Sequence, residues 1–180
     1  MKNEAQKNDY TFSWTDLGDV ELGRPNLGNS ASVLVYRLLQ YTFKDVMTKA
    51  FGREQTAAIF VRAGHLAGMN FCRHVLDTSL DFNAFIADLT RKLVDLKIGV
   101  LRIEKADLAT LQLALTVSED LDCSGLPVYG ETVCDYDEGF LAGILECYTG
   151  KPFTVREVDC WATGGRTCRF MAAPTEGAAA

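Results

Sequence analysis

Cys160 and Cys168 flank the Gly164-Gly165 pair in the stretch REVDCWATGGRTCRF, each four residues from Gly164, with an acid, Glu157, just upstream. A turn centred on Gly164 sets the two cysteines opposite each other on an antiparallel pair, where facing residues share one side with Cβ atoms about 4.5–5.5 Å apart. That separation admits a disulfide, and it equally lets two thiolates reach one metal ion through Zn–S bonds of about 2.3 Å. The first residues carry no apolar signal core. A reducing cytoplasm is therefore the expected compartment, and there the metal reading gains over the disulfide.

Two thiolates leave a tetrahedral ion two ligands short. His65 and His74, the only histidines, stand nine residues apart on nearly opposite sides of one helical segment, so a joint histidine site is not expected. Glu157, Cys123, Cys134 and Cys147 are left. Cys147 shares a helix face with Gly139 and Gly143, where a small apolar thiol is explained by close packing. Cys134 stands just before a helix and Cys123 in the DCSGLP turn, and both can approach a hairpin edge. Glu157, three residues before Cys160, would point to the other face of a regular strand and could join the same ion only through a bulge or twist. Spacing alone thus names Cys160 and Cys168, with Cys134 third. The alternative is that all six cysteines are reduced core residues.

The elements that must position these residues can be read from apolar periodicity. Ser30 or Ser32 caps a helix to about Ala50, stopped by Gly52, with Val35, Leu38, Leu39, Thr42, Val46 and Ala50 at helical spacing. A second helix spans about 54–76 and puts Phe60, Gly64, Gly68 and Cys72 on one face, a groove of small residues that lets a neighbour come close. Asp81 opens a third, with Phe82, Phe85, Ile86, Leu89, Leu93 and Leu96 as its apolar stripe. The period then falls to two: Leu111, Leu113, Leu115 and Val117 alternate with smaller or polar residues, and residues 98–104 form the hairpin partner across the KADLA turn. A fourth helix at about 136–149, ended by Gly150, and a last strand pair complete the order. The predicted fold class is α+β: an antiparallel β-sheet with helices packed mainly on one face. Residues 1–29 read as an N-terminal arm that dimerises, residues 30–173 as the domain, and residues 174–180 as a disordered tail.

A chain of 180 residues that is 48% hydrophobic can bury a real core in one domain. Its net charge of −6 and lack of any basic cluster argue against nucleic acid or an anionic membrane as partner. A small molecule or another protein is expected instead.

The stretch PVYGETVCDYDEGFLAGILECYTGKPFTVREVDCWATGGRTCRF resembles the 4-vinyl reductase domain family: a Cys before an acidic-aromatic turn, a G-F-L-A-G helix, a TGK exit and an E-x-x-C-x7-C hairpin. GRPNLGN, VYRLLQYTFKDV and AGHLAG extend the similarity over most of residues 20–172. The resemblance implies a fold related to heme-nitric-oxide-binding domains and Golgi transport subunits, and a function like the effector-sensing modules of phenol- and xylene-responsive bacterial activators. It also implies a homodimer and a zinc ion on Cys134, Glu157, Cys160 and Cys168; the extra Cys123 departs from the family's pattern and is a possible substitute ligand or a redox partner of Cys134. Three thiolates and a carboxylate close a tetrahedral shell, which makes such a site structural.

A zinc-stabilised module that encloses a small apolar or aromatic ligand and signals through a separate output protein is therefore the leading expectation, with Phe140, Tyr148 and Trp161 as cavity candidates. An accessory or reductase role in tetrapyrrole 4-vinyl chemistry is the catalytic alternative, although no G-x-G-x-x-G follows a strand. Heme on His65 or His74 and thiol redox sensing are the others. The acids at 119–122 and 135–138 are expected to be solvated or helix-capping.

Overall fold

The computed structural model describes residues 10–175. The first nine residues of the expected arm and most of the expected tail, residues 176–180, lie outside them. The arm contributes a 3-10 turn at Trp14–Leu17 and one helical turn, α1, at Val20–Gly23. Then come α2 (Val33–Phe51), α3 (Arg53–Val75), α4 (Phe82–Asp95), β1 (Val100–Asp107), β2 (Gln112–Ser118), α5 (Asp135–Thr149), β3 (Phe153–Asp159) and β4 (Cys168–Pro174). The four strands form one antiparallel sheet in the order β1-β2-β4-β3. The predicted succession of three helices, hairpin, helix, hairpin is the observed one, and the fold is α+β.

Local chemistry explains the boundaries. Ser32 accepts the Leu34 N–H and Asp81 the Ala84 N–H, each satisfying a backbone donor that the first helical turn leaves free. Gly150 ends α5 in the left-handed conformation, φ 72°, which a side chain disfavours. The β1–β2 turn lies later than the KADLA reading: β1 runs on to Asp107 past a bulge between Ile103 and Lys105, and Leu111 belongs to the turn, with φ 57°.

At the centre, α5 is buried all round from Glu138 to Leu145. It meets α3 along a seam of glycines, Gly64 and Gly68 facing Gly139 and Gly143. A Cβ at Gly64 would stand 2.9 Å from the Phe140 amide nitrogen, and one at Gly143 2.8 Å from that of Met69. The groove of small residues expected on α3 is thus where α5 docks. On the far side of the core, Phe85, Leu89 and Leu93 of α4 and Leu113, Leu115 and Phe170 of the sheet close the interior. Among the described residues no helix is long and apolar enough to cross a membrane.

α2 departs from expectation in its orientation. Its apolar stripe faces outward, with Leu34, Leu38, Leu39 and Val46 all more than 60% exposed, and none of its residues is buried. The opposite, polar face anchors it: Tyr36 donates to Asp122, Arg37 to the carbonyls of Leu121 and Ser124, Tyr41 to the Asp122 carbonyl, and Lys44 pairs with Asp135 at 2.7 Å.

Candidate functional site

The last hairpin answers the strand-parity problem posed by Glu157. Glu157 pairs with Phe170 and Asp159 with Arg169, so Val158 is an extra residue and a bulge lies between the two pairs. Beyond it Cys160 leaves the strand and caps a 3-10 turn, Trp161–Thr163, with its N–H donating to Thr163 Oγ1. The pairing stays centred near Gly164, whose φ of 98° suits glycine. The extra residue turns Glu157 and Cys160 to the same, inner side, and both are buried.

Four cysteines meet there. Cys160 and Cys168 come from the hairpin, Cys134 from the residue before α5, and Cys123 from the loop after β2. One sulfur of each lies within 4.8 Å of all the others, and all four residues are buried. Cys134 Sγ stands 3.8 Å from Cys160 Sγ and 3.9 Å from Cys168 Sγ. A tetrahedral ion with Zn–S bonds of about 2.3 Å needs sulfur–sulfur edges of roughly 3.8 Å, so these two separations match. Cys123 and Cys168 are closer, 3.1 Å, yet far beyond the S–S bond of about 2.05 Å. All six cysteines are free thiols. Hydrogen bonds from Cys123, Cys134 and Cys168 push the Cys160 thiol down. The same sharing drives Cys134 and Cys168 upward.

Glu157 lies beside the four sulfurs rather than among them. Its Oε2 accepts the Cys134 N–H at 3.1 Å, and its Oε1 is buried without a partner. Burial, then the nearby Cys160, pushes its carboxyl up to about 8. Glu138 holds the backbone here by accepting the Glu157 N–H at 2.8 Å while pairing with Arg156 at 3.0 Å. Cys147 packs between helices as expected, near Cys72, whose thiol burial pushes up to about 12.

Next to the sulfur cluster lies a cavity of about 620 Å³ between the arm, α2, α3 and α5. Trp14, Leu17, Phe71, Ile98 and Phe140 give it an apolar wall, and Tyr36, Asp122, Tyr136 and Asp137 line it too. Of the three sequence candidates Phe140 lines this cavity. Tyr148 sits away from it, stacked on Phe85 at 3.9 Å with its hydroxyl donating to the Leu80 carbonyl, and Trp161 lies under Arg166 at 4.9 Å. His65 pairs with Glu146 at 2.9 Å and His74 stacks on Trp14 at 4.7 Å.

The acids are expected to be solvated or helix-capping, but Asp120 and Asp122 are buried. Asp120 Oδ1 accepts the N–H groups of Asp122 and Cys123, folding the loop that carries Cys123. Burial, then Asp122, pushes Asp120 up to about 6. Asp122 accepts from Tyr36 at 2.7 Å and from Gln40. Asp137 Oδ2 is buried without a partner, and burial drives that carboxyl well above the usual range. The sequence signal available was the aspartate spacing D-x-D-C, which suits an Asx turn before a ligand cysteine.

Residues 113–174 match the family model of the 4-vinyl reductase domain, which bears out the resemblance read from the motifs. A protein described as uncharacterized, MJ1642 of Methanocaldococcus jannaschii, is 26% identical over 144 residues, spanning 80% of this chain and 78% of its own. The fold is similar to the phenol-responsive sensory domain of the transcription activator PoxR, solved with phenol. That match has a TM-score of 0.64 and 15% identity and covers 82% of this chain and 76% of that one. It is similar as well to a trafficking protein particle complex subunit 3 from Naegleria fowleri covalently bound to palmitic acid. Here the TM-score is 0.60 with 12% identity, over 80% and 95% of the two chains. The cavity therefore sits in a fold shared with a sensory domain.

Proposed function

We propose that this chain is a non-catalytic binding module of a reducing compartment, in which a structural zinc ion fixes the shape of a cavity for a small apolar or aromatic molecule. One observation carries the reading: the two segments that bring Cys123 and Cys134 to the sulfur cluster also build one end of the cavity. The loop of Cys123 supplies Leu121 and Asp122, and the first turns of α5, just after Cys134, supply Tyr136, Asp137 and Phe140. Pinning the sulfurs to one ion pins that end of the wall.

Four buried thiols within 4.8 Å of one another, with the two edges from Cys134 at 3.8 and 3.9 Å, suit zinc, and the ligands we assign are Cys123, Cys134, Cys160 and Cys168. Cys123 thus stands where the family resemblance had Glu157. Glu157 holds Cys134 in place through its backbone N–H. When bound, zinc supplies a closed shell that offsets thiolate charge and offers no open coordination position. The ligands must deprotonate as the metal enters, so binding and folding are coupled.

For the output we infer a homodimer through α2, whose apolar stripe nothing among the described residues covers, with a separate signalling protein reading the pair. Exposed apolar surface of this extent marks an interaction face.

Metal analysis of the purified protein tests the centre. One zinc per chain is expected, with Cys160→Ser losing metal, melting at lower temperature and binding 2-phenylethanol at least tenfold more weakly. Unchanged metal content and melting temperature in that variant would eliminate the assignment.

A further inference from the structure

The glycine seam between α3 and α5 keeps its register past its last glycine. The two helices run parallel, and each step of four on one faces a step of four on the other. A Cβ at Gly64 would meet Tyr136 and Phe140, and one at Gly68 would meet Phe140 and Ile144. From the other side, a Cβ at Gly139 would meet Val61 and His65, and one at Gly143 would meet His65 and Met69. The next step sets Cys72 over residues 144–148 and Cys147 over residues 69–73, so the two thiols face each other across the seam. Both are free; Cys72 is fully buried and Cys147 half-buried. Burial, then the hydrogen bond with Cys147, raises the Cys72 thiol. Neither is one of the four cysteines of the sulfur cluster.

We propose that Cys72 and Cys147 are a redox-modification site, where hydrogen peroxide joins the two thiols in a reversible disulfide that locks α3 to α5. A disulfide needs Cα atoms about 4.4–6.8 Å apart. Ordinary helix axes stand about 8–10 Å apart, depending on the side chains between them, and the glycines one step before the cysteines bring these backbones closer. Exposure orders the chemistry. Cys147, the half-buried thiol, attacks one peroxide oxygen as its thiolate; the O–O bond breaks, the other oxygen leaves as water, and Cys147 becomes a sulfenic acid. The Cys72 sulfur then attacks the Cys147 sulfur, the S–O bond breaks, and the hydroxyl leaves as a second water with the Cys72 proton. Two thiols and one peroxide thus give one disulfide and two waters, the sulfurs losing the two electrons that the peroxide gains. Full burial keeps peroxide from Cys72 and leaves it as the resolving thiol. The bond would fix the spacing of two helices that both wall the cavity, since Phe71 precedes Cys72 and α5 carries Phe140.

Peptide mapping of the purified full chain tests this. After millimolar hydrogen peroxide, trypsin with a glutamyl endopeptidase releases residues 63–73 and 147–156, each holding one cysteine, apart from the cluster cysteines. Without reductant the two are expected as a linked pair, lighter than the separate peptides by two hydrogens, and dithiothreitol should part them. Cys147→Ala should give no linked pair and leave the Cys72 thiol unoxidised under the same treatment. Cys147 driven to a sulfinic acid with Cys72 still free overturns the inference. So do links drawn only from Cys123, Cys134, Cys160 and Cys168, and so does oxidation of Cys72 in the variant. The map of the unmutated protein decides the matter even where the variant fails to fold.

Discussion

Replacing Gly139 by alanine sets two known effects against each other at the α3–α5 seam. Alanine is the better helix former by about 1 kcal/mol, so propensity alone predicts a stabler protein. The new methyl, however, would stand 2.7 Å from the His65 amide nitrogen and 2.8 Å from the Val61 carbonyl carbon, and nearer still to that carbonyl's oxygen. Carbon contacts settle at about 3.5–4.0 Å, so the helices must part by roughly 1 Å along a seam that is backbone on both sides and has no side chain to rotate away. Overpacking of this kind costs about 1–3 kcal/mol, and a gap of that size forfeits a quarter to a half of each dispersion contact along the seam. The steric loss wins, by about 2 kcal/mol net, which for a chain of this size lowers the melting temperature by about 4–8 °C. Thermal melts followed by circular dichroism measure it. Gly23→Ala is the control, since a Cβ there meets nothing within 4 Å, and it should melt within a degree or two of the parent. A Gly139→Ala protein that melts at or above the parent would refute the close-packed seam.

Two further outcomes are expected. Asp120→Asn keeps the acceptor for the Asp122 and Cys123 N–H groups but removes a carboxyl pushed up to about 6 by burial. A raised carboxyl lends its stability below the unfolded value of about 3.9 and loses it as pH climbs through the folded one. The parent should therefore lose more stability than the variant between about pH 4 and 6, and melts at pH 8 should favour the variant, by up to about 3 kcal/mol. Equal melting curves across that range would contradict the burial argument. Leu39→Glu, on the outward face of α2, should convert a dimer to a monomer in light scattering at micromolar concentration while leaving the melting temperature of the fold nearly intact.

What the sequence disclosed and what it hid follow from the range of the interactions involved. Helix caps and stops act within a turn, so Ser32, Asp81, Gly52 and Gly150 announced their elements, and the spacing of Gly64 and Gly68 announced a close approach without saying whose. The hairpin cysteines were legible because a turn fixes which residues face each other. The outward orientation of the α2 stripe was not, since an apolar face reads the same whether its partner is the core or another molecule. Nor was the burial of Asp120, Asp122 and Asp137, because acids in turns are usually wet; only the contacts of Tyr36 and Gln40, more than eighty residues away in sequence, take Asp122 out of water. Tyr148 and Trp161 read as cavity aromatics, yet aromatic rings fill cores at least as readily as they line cavities.

The bulge at Val158 also bears on how sequences of this kind can change. A strand counts by twos, and this one spare amino acid corrects the parity between an acid and a thiol whose spacing is odd. Val158 itself is half-exposed and makes no chemistry, so its side chain is open to wide replacement. So is its presence: with Val158 deleted, Glu157 and Cys160 would stand two apart and share one face of a regular strand with no bulge between them. At this position both the kind of side chain and the spare residue itself should be open to change.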